Sequence, residues 1–130
     1  SFIFNNIEVY EPYRFRPYCH VKDFARAIFK VYRAKHDLIS SEIFNCGNQK
    51  NNFTKSKICK ILKTFNKNLK IKLNNNIVDK RNYRVSFSKI EKKLSFKCLY
   101  SVEYGVREIL GYLKKNKKVD YKKLGNYIIH

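Results

Sequence analysis

The chain has no methionine, only four glycines and two prolines, and ten acidic residues among 130. The missing methionine includes the initiator, so Ser1 reads as an internal start and the chain as a piece of a longer protein. No Gly/Ser linker and no internal repeat divides it, and its length suits one domain with a modest core. No apolar run approaches the roughly 18 to 20 residues that a membrane-crossing helix needs. The opening SFIFNNIEVY lacks a basic n-region and a small-residue cleavage site, so no signal peptide is read there. No C-x-x-C pair joins Cys19, Cys46, Cys59 and Cys98. Zinc sites generally show close ligand pairs and disulfide scaffolds are denser in cysteine. The expectation is therefore no metal and free thiols in a reducing, cytoplasmic setting.

The shortage of acid leaves a net charge of +19. A charge that large invites nucleic acid or an anionic membrane as partner. Two features weaken that reading. Lysine supplies 22 of the 29 basic residues and is spread along the chain, and Asn, Ile, Phe and Tyr are abundant with it, a joint excess expected of an AT-rich genome. The aromatic residues also fall mostly at core-like positions rather than among clustered cations. A small basic nucleic-acid-binding module is thus the alternative, disfavoured reading, and a membrane partner is not expected.

What is present alternates between two periods. IEVY (7–10) and RPYCHV (16–21) read as extended runs. From 22 to 35 the period becomes helical, with Phe24, Ala25, Ile28, Val31 and Tyr32 on one stripe and Asp23 in the first turn. EIFNCG (42–47) reads as a strand ending at Gly47. Thr54 is a candidate N-cap for a helix through Phe65, with Ile58, Ile61, Leu62 and Phe65 on one face. LKIKL (69–73) alternates like a half-exposed strand, and YRVSF (83–87) is extended. Ser88 with Glu91 has the spacing of a capping box. Ser101 can cap a last helix from 102 to about 115 that turns Val102, Val106, Ile109, Leu110 and Leu113 inward. Mixed helices and short strands predict an α/β layer arrangement, with 116–130 as a basic tail.

Three features could carry chemistry. Cys19, His20 and Asp23 offer S, N and O ligands, but Cys19 and His20 point to opposite sides of a strand and no second ligand pair supports them. They read instead as a strand-to-helix junction. Tyr18 and Lys22 have Y-x-x-x-K spacing, yet Tyr18 lies in the extended run beside Pro17, so no helical turn connects the two. The seven arginines are more telling in a chain that prefers lysine. Arginine presents a flat fork of donors to a phosphate or carboxylate, and Arg16, Arg81 and Arg84 sit near loops and strand edges.

Three blocks then resemble, in order and spacing, the C-terminal part of the extended short-chain dehydrogenase/reductase family of NAD(P)-dependent nucleotide-sugar epimerases and dehydratases. RPYCHVKDFARAI resembles the block R-[DP]-[FY]-x-H-V-x-D-x-[AV]-x-A-I. EIFNCGNQKNNFTKSKICKIL resembles the strand V-[FY]-N-[VLC]-G with its polar loop and helix. DKRNYRVSFSKIEKKLSFKCLYSVEYGVREI resembles the closing D-x-R-x-Y-x-V-[SD]-x-x-K-[IA] segment, then L-G-[FW]-x-P and the last helix. The resemblance implies that 1–115 is a substrate-binding region of mixed α/β fold, normally packed against an NAD(P)-binding Rossmann domain. It implies a nucleotide-sugar substrate whose diphosphate meets Arg16 and Arg81, with Tyr83 and Arg84 beside them, and a homodimeric parent enzyme. Asn45 and Gly47 match a structural N-x-G turn. The cofactor motif G-x-x-G-x-x-G and the catalytic Tyr-x-x-x-Lys helix are not in these residues, so NAD(P) would be bound elsewhere in the parent and the chain alone is expected to be catalytically silent. Ser95 stands where the family prefers Gly, and Lys97-Cys98 where x-Pro is usual.

Overall fold

The computed structural model describes residues 5–75 and 81–116. The expectations for Asp79 and for most of the basic tail fall outside them. Two small sheets and five helices build a mixed α/β arrangement. Strand β1 (Asn6–Tyr10) pairs in parallel with β4 (Lys70–Asn74), from Asn6 opposite Lys70 to Tyr10 opposite Asn74. Strand β2 (Phe15–Pro17) pairs antiparallel with β3 (Asn52–Thr54), placing Arg16 opposite Phe53. Helix α1 spans Val21–Tyr32, α2 His36–Ile39, α3 Lys55–Phe65, α4 Ser88–Leu94 and α5 Val102–Lys115.

The caps explain several of these boundaries. Thr54 Oγ1 accepts from the Lys57 N–H and opens α3, and Ser101 accepts from the Tyr104 N–H and opens α5. Both satisfy a backbone donor that the helix itself leaves orphaned. Helix α1 begins with His20 as N-cap, and Nδ1 accepts from the Lys22 N–H. It stops at Tyr32, short of the expected 35, and a separate turn, α2, follows. The capping box at Ser88 does not form. Phe87 is the N-cap of α4, Ser88 is already helical, and its hydroxyl instead lies 3.0 Å from that of Ser86.

The core gathers Ala27, Ile90, Leu94 and Phe96, with Val31, Ala34, Ile39, Phe44, Cys46 and Cys98 packed against it. Phe96, outside any helix or strand, is thus central. The expected apolar stripe of α1 does not face this core: Phe24, Ala25, Ile28 and Tyr32 are exposed, while Asp23 and Ala27 are buried. On α5, Ile109 is exposed and Val102, Val106, Leu110 and Leu113 are only half-buried. The run 42–47 is extended but has no ladder partner among the described residues, so it is not a strand there. Among the described residues no helix is long and apolar enough to cross a membrane.

Ser95 ends α4 in the left-handed region, at φ 49° and ψ 37°. An L side chain there crowds the following carbonyl, a strain of about 1 kcal/mol that glycine avoids. Ser95→Gly is therefore expected to raise the unfolding free energy by about 0.5 to 1 kcal/mol in urea denaturation.

Candidate functional site

The residues nominated from the sequence come from two segments 65 residues apart, and the fold brings them together. Pairing of β2 with β3 sets Arg16 on a short sheet. The segment 81–85 then runs alongside without joining a ladder, held by side-chain amides. Asn52 Oδ1 accepts from the Val85 N–H at 2.9 Å while its Nδ2 donates to the Val85 carbonyl at 3.0 Å. The Phe15 N–H donates to Asn82 Oδ1 at 2.9 Å, and Asn45 Nδ2 donates to the Ser86 carbonyl at 3.2 Å. Asparagine can do this because one side chain offers both a donor and an acceptor.

Arg16 Nη1 donates to the carbonyls of Phe15 and Arg81, each at 2.7 Å, so the guanidinium itself ties the two segments. Its carbon lies 5.3 Å from the centre of the Tyr83 ring, and that of Arg84 lies 3.9 Å from the Phe15 ring. Aromatic faces attract and orient guanidinium groups in this range. Arg81, Tyr83 and Arg84 are exposed and Arg16 is half-buried. The result is two cation–aromatic pairs, Arg16 with Tyr83 and Arg84 with Phe15, at a junction where Arg16 also holds the Arg81 carbonyl. Guanidinium groups at such a junction can take the oxygens of a phosphate or diphosphate in charge-assisted pairs.

A cavity of about 820 Å³ lies elsewhere, between α1 and α4, lined by Phe29, Arg33, Leu94 and Phe96 among others. A second cavity of about 400 Å³ abuts the junction at Tyr18, Cys19, His20 and Val21 and is closed by α3 and α5. Its polar rim was missed in the sequence. His20 Nδ1 accepts from the backbone, so Nε2 carries the proton and donates to Glu108 at 2.9 Å; Lys22 pairs with the same carboxylate. The rings of Tyr100 and Tyr104 pack on His20 at 4.8 and 5.6 Å. The four-residue spacing of Tyr104 and Glu108 on α5 was the available signal.

Asp23 anchors the junction from inside. It is fully buried and accepts from the N–H groups of Leu99 and Tyr100 and from Arg26. Burial pushes its carboxyl up, but the two backbone N–H groups and Arg26 outweigh burial and hold it below its ordinary value. Tyr18 and Lys22 are not paired as a catalytic couple; the Tyr18 hydroxyl is pushed up by burial, and Lys22 turns to Glu108.

Two further carboxylates, Glu42 and Glu108, shift in the same direction. Hydrogen bonds from Lys89 and Lys93 hold Glu42 down at about 2, and the Lys22 hydrogen bond, aided by His20, holds Glu108 below its ordinary 4.5 against the opposing effect of burial. A carboxylate lowered by folding stabilises the fold above its unfolded pKa and ceases to do so as pH falls through its folded value. Thermal stability is therefore expected to be level above pH 4.5 and to fall between there and about 2. Both residues are solvent-accessible, so added salt should shrink the effect in a melting series.

No family model matches the chain, and no curated protein does. The crystal structure of PbgP3 protein from Burkholderia pseudomallei is similar to it, with a TM-score of 0.63 at 18% identity over 85% of this chain. The match spans 35% of the PbgP3 chain, so this chain corresponds to about a third of that protein's length. The likeness shows a shared fold.

Proposed function

We propose that the chain is the substrate-binding region of an NAD(P)-dependent nucleotide-sugar epimerase, dehydratase or reductase, and that it binds the nucleotide diphosphate of the substrate. The observation that supports this reading is that the fold joins the two arginine-bearing segments, distant in sequence, through the Arg16–Arg81 carbonyl bond and the Arg16–Tyr83 and Arg84–Phe15 contacts. Arg16 and Arg81 supply forked donors to the diphosphate, and Tyr83 and Arg84 border it. NAD(P) belongs to a Rossmann domain outside these residues. The exposed stripe of α1, with Phe24, Ile28 and Tyr32, is the face that domain would cover. The partial match supports this, since nearly two thirds of the PbgP3 chain lies beyond it.

Calorimetric titration of the chain with UDP-, dTDP-, GDP- and ADP-sugars tests the reading. Saturable binding of at least one is expected, falling about tenfold or more in Arg16→Lys, because lysine keeps the charge and loses the fork. No sugar-nucleotide binding, with salt-steep affinity for DNA or RNA of any sequence, would replace this reading by the basic nucleic-acid-binding module. The net charge of +19 is the observation in that module's favour.

A further inference from the structure

Three of the four thiols, far apart in sequence, meet at the head of α1. Cys19 Sγ lies 3.8 Å from Cys46 Sγ, and the Cys98 thiol is within hydrogen-bonding reach of both. Cys59 is buried separately in α3. Among the described residues no group of three or more His, Cys, Asp or Glu is placed to hold a metal ion. The contact therefore points to sulfur–sulfur chemistry. Cys19 is exposed, Cys46 half-buried.

We infer that Cys19 and Cys46 form a peroxide-sensitive dithiol, a redox modification site that closes to a reversible disulfide. The exposed Cys19 sulfur attacks one oxygen of hydrogen peroxide; the O–O bond breaks, hydroxide leaves and takes up the Cys19 thiol proton as water, and Cys19 becomes a sulfenic acid. The Cys46 sulfur then attacks the Cys19 sulfur. The S–O bond breaks, the S–S bond forms, and water leaves with the Cys46 proton. Two thiols lose two electrons in all, and one peroxide is reduced to water.

Distance decides the partner. A disulfide needs its sulfurs at about 2.05 Å, so one side must close the gap. Cys46 Sγ already lies 3.8 Å from Cys19 Sγ. Cys98 precedes Leu99 and Tyr100, whose N–H groups are pinned on buried Asp23. The order of attack fits the surroundings. Burial pushes the Cys46 and Cys98 thiols up to about 12, so both stay protonated at neutral pH, and each shares its proton within the cluster. The bond would pin 42–47 to the segment between the strand that carries Arg16 and helix α1, and close a loop between positions 27 apart in sequence.

The test oxidises the reduced full chain with hydrogen peroxide and maps it after tryptic digestion without reductant. Trypsin places the cysteines on separate peptides, with Cys19 in 15–22, Cys46 in 36–50, Cys59 in 58–60 and Cys98 in 98–107. A crosslink between 15–22 and 36–50, lost with dithiothreitol, is expected, together with a higher melting temperature of the oxidised chain. Cys46→Ser should leave Cys19 as a sulfenic acid that dimedone traps. A Cys19–Cys98 bond, four thiols still free, or a crosslinked chain that melts lower than the reduced one would overturn the inference. The last would place the bond in unfolded chains.

Discussion

Replacing Asp23 with alanine is expected to lower the unfolding free energy by about 3 to 5 kcal/mol, near the whole stability of a small domain. Its two oxygens take four contacts: Arg26 at 2.6 Å, Leu99 N–H at 3.0 and 3.1 Å, and Tyr100 N–H at 3.0 Å. Alanine leaves both backbone donors without an acceptor and frees 99–100 from the start of α1. Arg26 is partly exposed and can turn to water, so the cost lies with the N–H groups and the cavity. Asp23→Asn keeps the volume but has one accepting oxygen, and about half the loss is expected. Urea unfolding followed by circular dichroism measures both. Asp23 also contributes to the acid limb. Folding holds its carboxyl below the ordinary 3.8, so its contribution is complete above pH 3.8 and disappears as pH falls through the lower, folded value. The asparagine variant should show a shallower acid limb than the parent chain. A limb of unchanged slope would mean that Asp23 is not the proton-linked anchor.

Asp23 also marks what was legible in the sequence. Its place in the first turn of a helix could be read, because a period of 3.6 and an acidic first turn are local signals. That its carboxylate would be buried could not, because the N–H groups it serves lie 76 and 77 residues on. Thr54 and Ser101 were legible for the same reason that Asp23 was only half so: a cap bonds to a group two or three residues away. The run 42–47 was misread because extended, apolar residues become a strand only when another strand pairs with them, and β2 pairs with 52–54 instead. The stripe of α1 was read as apolar, and it is, but of its residues only Val31 packs against the core. Periodicity reveals a face and is silent on what covers it, and the core takes the smaller Ala27. At the candidate site, arginine rarity picked out Arg16, Arg81 and Arg84, whose segments the fold brings side by side. The asparagine clamps that gather them, Asn52 and Asn82, carried no signal in an asparagine-rich sequence.

Gly47→Ala is expected to cost about 1 to 3 kcal/mol, because the position has no room for a single added carbon. A Cβ built there would lie 2.5 Å from Cε1 and from Cζ of Phe87. The glycine needs no unusual backbone angle, so the cause is close approach rather than conformational freedom. Phe87 cannot swing clear cheaply. It is buried, it is the N-cap residue of α4, and it leads directly into the core residue Ile90. Relief must come from displacing α4 or the 45–47 turn, and Asn45 in that turn donates to the Ser86 carbonyl beside Phe87. The mutation therefore strains the clamp that positions 81–86, and sugar-nucleotide affinity should fall along with stability. Pairing Gly47→Ala with Phe87→Leu separates the two causes. If the ring edge is the obstacle, the double variant should be less destabilised than the sum of the singles, a coupling of about 1 kcal/mol or more between contacting residues. Strict additivity would refute the packing account and place the need for glycine in the turn itself.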